Sequence, residues 1–264
     1  MAPEIKKEPH RKVTLIVLIS LLAAFLIYYS VMSVMSPARK LEEIRKEYSL
    51  KTSGKDGIDK KILNDSDYLR LLKEKAFLQS MTLMAVTDSI YLTLNMLDST
   101  ANLEISGVVV HKAKMSKMEI SKILSGNENA VFSMLSTPFT ISSALSTIKK
   151  EPVLIKYAPK DTSEYKPDVM PDTSIAEPVC YILEMKGGIR IYVYQDDAVK
   201  TKDKISLLRF DLTDRIKDTW IALKRVAVAK LPEYHPFIKI RLPRTDAKII
   251  YRALPKNGQI AVFS

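Results

Sequence analysis

The chain has 264 residues, 41 of them Lys or Arg against 30 Asp or Glu, and only seven are glycine. Less a short tail and one apolar run, that length leaves room for a single domain of ordinary size. The one cysteine excludes an internal disulfide, and so few glycines leave no Gly-rich phosphate loop.

The basic excess is unevenly spread. From Gln195 to Ser264 there are 15 basic and 8 acidic residues, so the last quarter prefers anionic surroundings such as lipid head groups or a wall polymer. Nucleic acid is not expected, because the sequence has neither aromatic and basic interleaving nor a finger or recognition-helix signature.

Residues 1–12 form a polar tail carrying Lys6, Lys7, Arg11 and Lys12. Val13 to Met35 is an uncharged run of 23 residues. As a helix it reaches roughly 34 Å at ~1.5 Å per residue, slightly more than the ~30 Å hydrocarbon core of a bilayer. Ser36-Pro37-Ala38 offers the small residues of a processing site, but the run far exceeds the roughly 7–15 residues of a signal-peptide core. It is read as a retained anchor. Arg39, Lys40, Arg45 and Lys46 balance the charges of the tail, so the positive-inside rule barely decides the orientation. The short tail is the part more easily left in the cytoplasm while the rest is exported.

Residues 36–88 read as a helical stalk or linker. Helix begins at Pro37, breaks over Thr52 to Gly57 and resumes from about Ile62, where Leu69, Leu72, Ala76, Leu83, Val86 and Ile90 mark an apolar stripe. Phe77, Leu78, Met81 and Met84 add a second, so this helix is expected to pack on the following domain, on another copy of the chain, or on both.

After Asp88 the period changes to two. Ile90, Leu92, Leu94 and Met96 alternate with Tyr91, Thr93 and Asn95, and further strands follow over Leu103 to Gly107 and Val108 to Lys114 as a meander. Ser116 and Glu119 match a capping box, predicting a short helix that stops near Gly126. Strands are expected over Phe139 to Ile148 and Pro152 to Tyr157. The stretch from Ala158 to Pro178, holding Pro159, Pro167 and Pro171, is a surface loop. Val179 to Met185 and Ile189 to Tyr194 flank Gly187-Gly188 as a hairpin. Leu212, Ile216, Trp220 and Leu223 mark a helix face, Phe237 to Leu242 a strand, and Thr245 the cap of a helix burying Ala247, Ile250, Tyr251 and Leu254. Asn257-Gly258 turns the chain into a last strand, Gln259 to Phe263. The whole predicts an α+β protein, with residues 89–264 as its globular domain.

The closing run Ile240-Arg241-Leu242, Asp246-Ala247-Lys248, Tyr251, Leu254-Pro255, Gly258 and Ile260 to Val262 resembles the end of the L,D-transpeptidase catalytic domain. There the motif Ser-x-Gly-Cys-Ile-Arg-Leu precedes a short helix, a turn and a last strand. Tyr91 to Val110 is similar to that family's opening meander, and Gly188-Ile189-Arg190-Ile191 to the strand ending in its His-Gly. The resemblance implies a mainly-β transpeptidase-like domain and a cell-envelope setting, on the outer side of a bacterial inner membrane. It also implies that the catalytic pair is replaced. Lys239 stands at the nucleophile position, after Pro236, Phe237 and Ile238, while Tyr192 and Val193 stand at the His-Gly position. Such chemistry needs a thiolate and a base, and neither is at its place.

Two functions remain open. The first is a non-catalytic, membrane-anchored envelope protein that binds peptidoglycan or an envelope partner, with possible self-association through the stalk helix. Its basic face would be Lys239 and Arg241, alternating on one side of a strand, with Arg244, Lys248 and Arg252 in a row along a helix. The second is a wall-peptide hydrolase or transpeptidase using a relocated pair, Cys180 and His235, although Cys180 lies in an apolar strand where a small core residue is expected. Three scattered histidines, His111 and His235 among them, give no metal-ligand spacing, and no cofactor is expected.

Overall fold

The computed structural model describes residues 9–49, 66–126, 128–150, 177–197 and 201–263. The expected break at Thr52 to Gly57, the strand Pro152 to Tyr157 and the loop from Ala158 as far as residue 176 lie outside them. The protein is α+β, with a long apolar N-terminal helix and a mainly-β sheet domain. It divides into two compact units, Met1–Glu43 with Asp214–Tyr234, and Ile44–Thr213 with His235–Ser264.

Helix α1 (Pro9–Ser49) runs through Pro37 without ending there. Its apolar stretch is long enough to cross a membrane, and none of its most apolar window is buried within the protein. Helix α2 (Ser66–Ala85) instead packs on the sheet: Met84 forms a buried cluster with Tyr91 and Ala261, flanked by Phe77 and Met81. Phe77 also stacks on Phe263, with ring centroids 5.2 Å apart. Its opposite side leaves Leu71, Leu78 and Leu83 exposed.

Among the described residues, nine strands make one sheet. They are β1 (Tyr91–Asn95), β2 (Thr100–Ile105), β3 (Val108–Lys114), β4 (Lys117–Ile120), β5 (Phe139–Ser146), β6 (Cys180–Met185), β7 (Arg190–Gln195), β8 (Phe237–Leu242) and β9 (Gln259–Phe263), in the order β3-β2-β1-β9-β5-β6-β7-β8-β4. β7 and β8 are parallel, which a hairpin cannot achieve, and the intervening helix α4 (Thr201–Ala227) supplies the crossover. Of the two edge strands, β3 ends at Lys114 and β4 begins at Lys117. Three residues bring the edges within about 11 Å of each other, so the sheet must curl round on itself. Consecutive amides join the edges: Met115 N–H donates to the Ser99 carbonyl at 2.8 Å, and Ser116 N–H to the Arg241 carbonyl at 3.0 Å.

Inside the curl the period-two alternation of the strands puts Leu92 and Leu94 beside Ile260 and Val262, and Leu183 beside Ile191 and Ile238, all essentially inaccessible to solvent. Helix α5 (Arg244–Ala253) covers this inner face, with Tyr251 packed on Tyr181 at 4.9 Å between ring centroids. β1 is buried on both faces because α2 covers the other side.

The structure corrects two local readings. Ser116 to Glu119 does not start a helix: Lys117 to Ile120 pair with β8, and a turn follows in which Leu124 and Ser125 N–H bond the Ser121 carbonyl. Pairing with a strand more than a hundred residues away outweighs the capping pattern. The short helix lies further on, as α3 (Asn129–Leu135). Thr245 is likewise not the cap of α5, which begins at Arg244 after Pro243. Its first amide, Arg244 N–H, donates instead to the Asp197 carboxylate at 2.7 Å, an anion well placed at a helix N-terminus.

Candidate functional site on the outer sheet face

Along β7 and β8 the inward residues Ile191, Val193, Ile238 and Ile240 alternate with half-buried or exposed outward ones, Arg190, Tyr192, Tyr194, Phe237, Lys239 and Arg241. Strand register sets the outward residues in rows. Tyr192, Lys239 and Glu119 form one row across β7, β8 and β4, and Tyr194, Arg241 and Lys117 the next. The Lys239 ammonium sits 4.4 Å from the centroid of the Phe237 ring and 3.8 Å from a Glu119 carboxylate oxygen. The Tyr192 and Tyr194 rings are nearly parallel, 6.5 Å apart and inclined by 6°. A depression of about 90 Å³ lies among Lys117, Glu119, Tyr194, Lys239 and Arg241. That volume holds a few waters rather than a drug-sized ligand, so the outer face is a surface and not a pocket.

Tyr194 is fixed by its hydroxyl, which donates to Asp211 at 3.0 Å. Burial, with the adjacent Asp211 charge, holds that hydroxyl far above its ordinary range, so it stays a neutral donor. The face therefore combines flat aromatic surface with two cations, Lys239, held against Phe237 and Glu119, and the exposed Arg241. Such a combination suits an extended polar chain bearing negative charge better than a compact substrate.

At the hairpin end of the same face is a second group. Glu184 accepts from the Ser143 hydroxyl at 2.9 Å and pairs with Arg190 at 3.4 Å, directly across the hairpin. Burial pushes its carboxyl up, but the Ser143 hydrogen bond and the Arg190 and His235 charges outweigh it, and the pKa is lowered. A lowered folded-state pKa means stability that is present at neutral pH and lost as the pH falls through it. Replacing Glu184 by Gln should therefore lower the melting temperature at pH 7, and the gap to wild type should close below about pH 4, the ordinary carboxylate range. Melting both proteins across that range checks this.

The sequence-predicted residues are only partly brought together. Lys239 and Arg241 share the outer face, whereas Arg244, Lys248 and Arg252 ride on α5, which packs against the inner one. The two basic rows thus lie on opposite sides of the sheet. Cys180 is 1% exposed and pairs with Tyr194 at the start of β6, while His235 Nδ1–H donates to the Gly188 carbonyl at the hairpin turn, 2.9 Å away. From Tyr194 back to Arg190 is four residues, or roughly 13 Å at ~3.3 Å each. The structure does not bring Cys180 and His235 together as a nucleophile and base require. His111 meets Asp246 of α5 at 3.2 Å. Among the described residues no three of His, Cys, Asp and Glu gather as a metal site would need.

Sequence reasoning missed Ser143, Glu184 and Arg190. Opposite charges three residues to either side of Gly187 were the available signal for the last two.

No family model matches the chain, and no curated protein matches it in sequence. Among solved structures it is similar to an L,D-transpeptidase from Mycobacterium smegmatis, at 13% identity and a TM-score of 0.24, over 67% of this chain and 59% of that one.

Proposed function

We propose that this chain is a membrane-anchored, non-catalytic protein of the bacterial cell envelope. Its sheet domain lies outside the cytoplasm and binds peptidoglycan, or an anionic envelope partner, through the outer face of β7, β8 and β4. Val13 to Met35 is the single-pass anchor, and α1 has the length and composition the role requires.

The observation that carries the reading is the register of the parallel pair β7 and β8. Tyr192 and Lys239, the positions that the motif resemblance equates with a catalytic imidazole and thiol, are direct neighbours on one face. A phenol and an ammonium there can hydrogen-bond and attract carboxylates, but they do not supply a thiolate and its proton acceptor. The nearly inaccessible Cys180 favours the same view. Wall polymer offers what this face takes, sugar rings to lie on Tyr192 and Tyr194 and stem-peptide carboxylates for Lys239 and Arg241.

Co-sedimentation with purified wall material tests the proposal. Changing Lys239 and Arg241 together to Gln should weaken retention roughly two- to thirtyfold at low salt, at about 0.2–1 kcal/mol per exposed ion contact, and moderate salt should shrink the difference. Changing Arg244 and Lys248, on the other side of the sheet, should leave retention alone. Equal retention of the first pair, or retention indifferent to salt, would count against the outer face.

A further inference from the structure

Helix α4 carries an apolar stripe that the fold does not use. Ile205, Leu208, Leu212, Ile216 and Trp220 recur at steps of three or four residues, and each is more than half exposed, Leu212 least at 51% and Leu208 most at 68%. At ~1.5 Å per residue the stripe is roughly 22 Å long. Monomeric soluble domains seldom leave such a run open.

The charges of α4 are sorted around it. At 100° per residue Arg209 falls within the stripe, and Arg215, Lys217 and Lys224 fall along its borders, all of them exposed. Asp211, Asp214 and Asp218 repeat on the opposite, half-buried side. The Lys224 ammonium lies 5.3 Å from the centroid of the Trp220 ring at the edge of the stripe. Apolar residues bordered by cations, with an indole among them, are the pattern of a helix lying in the interface of an anionic bilayer. A second copy docked on the same stripe would bring like cation rows together.

A second observation places the end of α4 beside the anchor. Within the unit Met1–Glu43 with Asp214–Tyr234, Ser36 follows the last residue of the uncharged run, is buried, and donates its hydroxyl to the Pro232 carbonyl at 2.6 Å. Arg39, Lys40 and Glu43 of α1 line a small cavity there with Arg225 and Tyr234, and an Arg225 to Glu233 ion pair of 2.7 Å braces the turn. If Val13 to Met35 fills the hydrocarbon core, Ser36 is at its boundary, and the chain just past α4 is tied to that level.

We propose that α4 is a second membrane contact, with its Ile216 and Trp220 stripe seated among anionic headgroups of the bilayer that α1 crosses. This rests on the anchor reading given above. Two contacts would hold the protein in a set orientation, where a single span leaves it free to swing.

Trp220 is the one tryptophan of the chain, so intrinsic fluorescence reports this site alone. The full chain should be reconstituted into vesicles of phosphatidylcholine and phosphatidylglycerol, floated, and read with lipids brominated high on the acyl chain. Expected is a blue-shifted Trp220 emission, quenched several-fold by the brominated lipid and shielded from aqueous acrylamide. A Leu212→Glu, Ile216→Glu variant should keep its flotation and circular dichroism but lose that quenching. Protein that floats while Trp220 stays open to acrylamide and untouched by bromolipid overturns the inference and spares the anchor. A blue shift that tracks protein concentration without bromolipid quenching overturns it in favour of a second copy. Protein that fails to float, or is stripped by carbonate, overturns both.

Discussion

Removal of the chain from Gln259 onward should unfold the sheet domain. β9 lies between β1 and β5, parallel to the first and antiparallel to the second, and joins the two halves of the curl. Its Ile260, Ala261 and Val262 are buried, and Phe263 stacks on Phe77 of α2. Burying large apolar side chains contributes roughly 1.5–3 kcal/mol each, so losing Ile260, Val262 and Phe263 costs about 5–9 kcal/mol. The exposed edges of β1 and β5 add unpaired backbone groups. A domain holds about 5–15 kcal/mol in all. Circular dichroism of the truncated protein should therefore show no cooperative melt, and a transition within a few degrees of wild type would mean that β9 is peripheral.

The next largest effect is expected at Tyr181, and there two substitutions should diverge. Its ring is fully buried against Tyr251, so Tyr181→Ala leaves a cavity and should cost about 3–5 kcal/mol. The hydroxyl, also buried, finds no hydrogen-bond partner among the described residues. Tyr181→Phe removes an unsatisfied polar atom while keeping the ring, and should be neutral or stabilising by about 1 kcal/mol. Chemical denaturation of both variants decides it. A Phe variant as damaged as the Ala variant would show that the hydroxyl has a partner.

Much of the sheet was legible because its signals are local. The alternation through Tyr91 to Lys114, the two glycines between β6 and β7, and Asn257-Gly258 before β9 each declare an element within a few residues. Gly258 illustrates the turn: a Cβ there would lie 3.0 Å from the Pro255 carbonyl oxygen. What stayed hidden depends on partners distant in sequence. β4 is a strand only because β8 lies beside it, and its Ser116 and Glu119 would otherwise suit a helix start. The carboxylate that takes the first amide of α5 is Asp197, 47 residues earlier. At the site, the alternation of Lys239 and Arg241 was readable from period two alone. Their aromatic neighbours Tyr192 and Tyr194 were not, because a neighbour across a parallel pair follows from register, which no local pattern states. The same blindness let Arg244 and Lys248 look like part of one basic face. For α4, the apolar spacing was visible but its exposure was not, since a periodic stripe fits a core and an open surface equally well.

Binding of wall material without turnover can be read in a single experiment. Full-length protein, held in detergent or vesicles, is incubated with purified wall material. Retention is measured at low and moderate salt, and the bound wall is then digested and its peptide cross-links profiled by mass. The predicted result is salt-sensitive retention with a cross-link profile identical to that of untreated wall, unchanged by Cys180→Ser. Cross-links that form or disappear with wild-type protein, and no longer do so with Cys180→Ser, would contradict it.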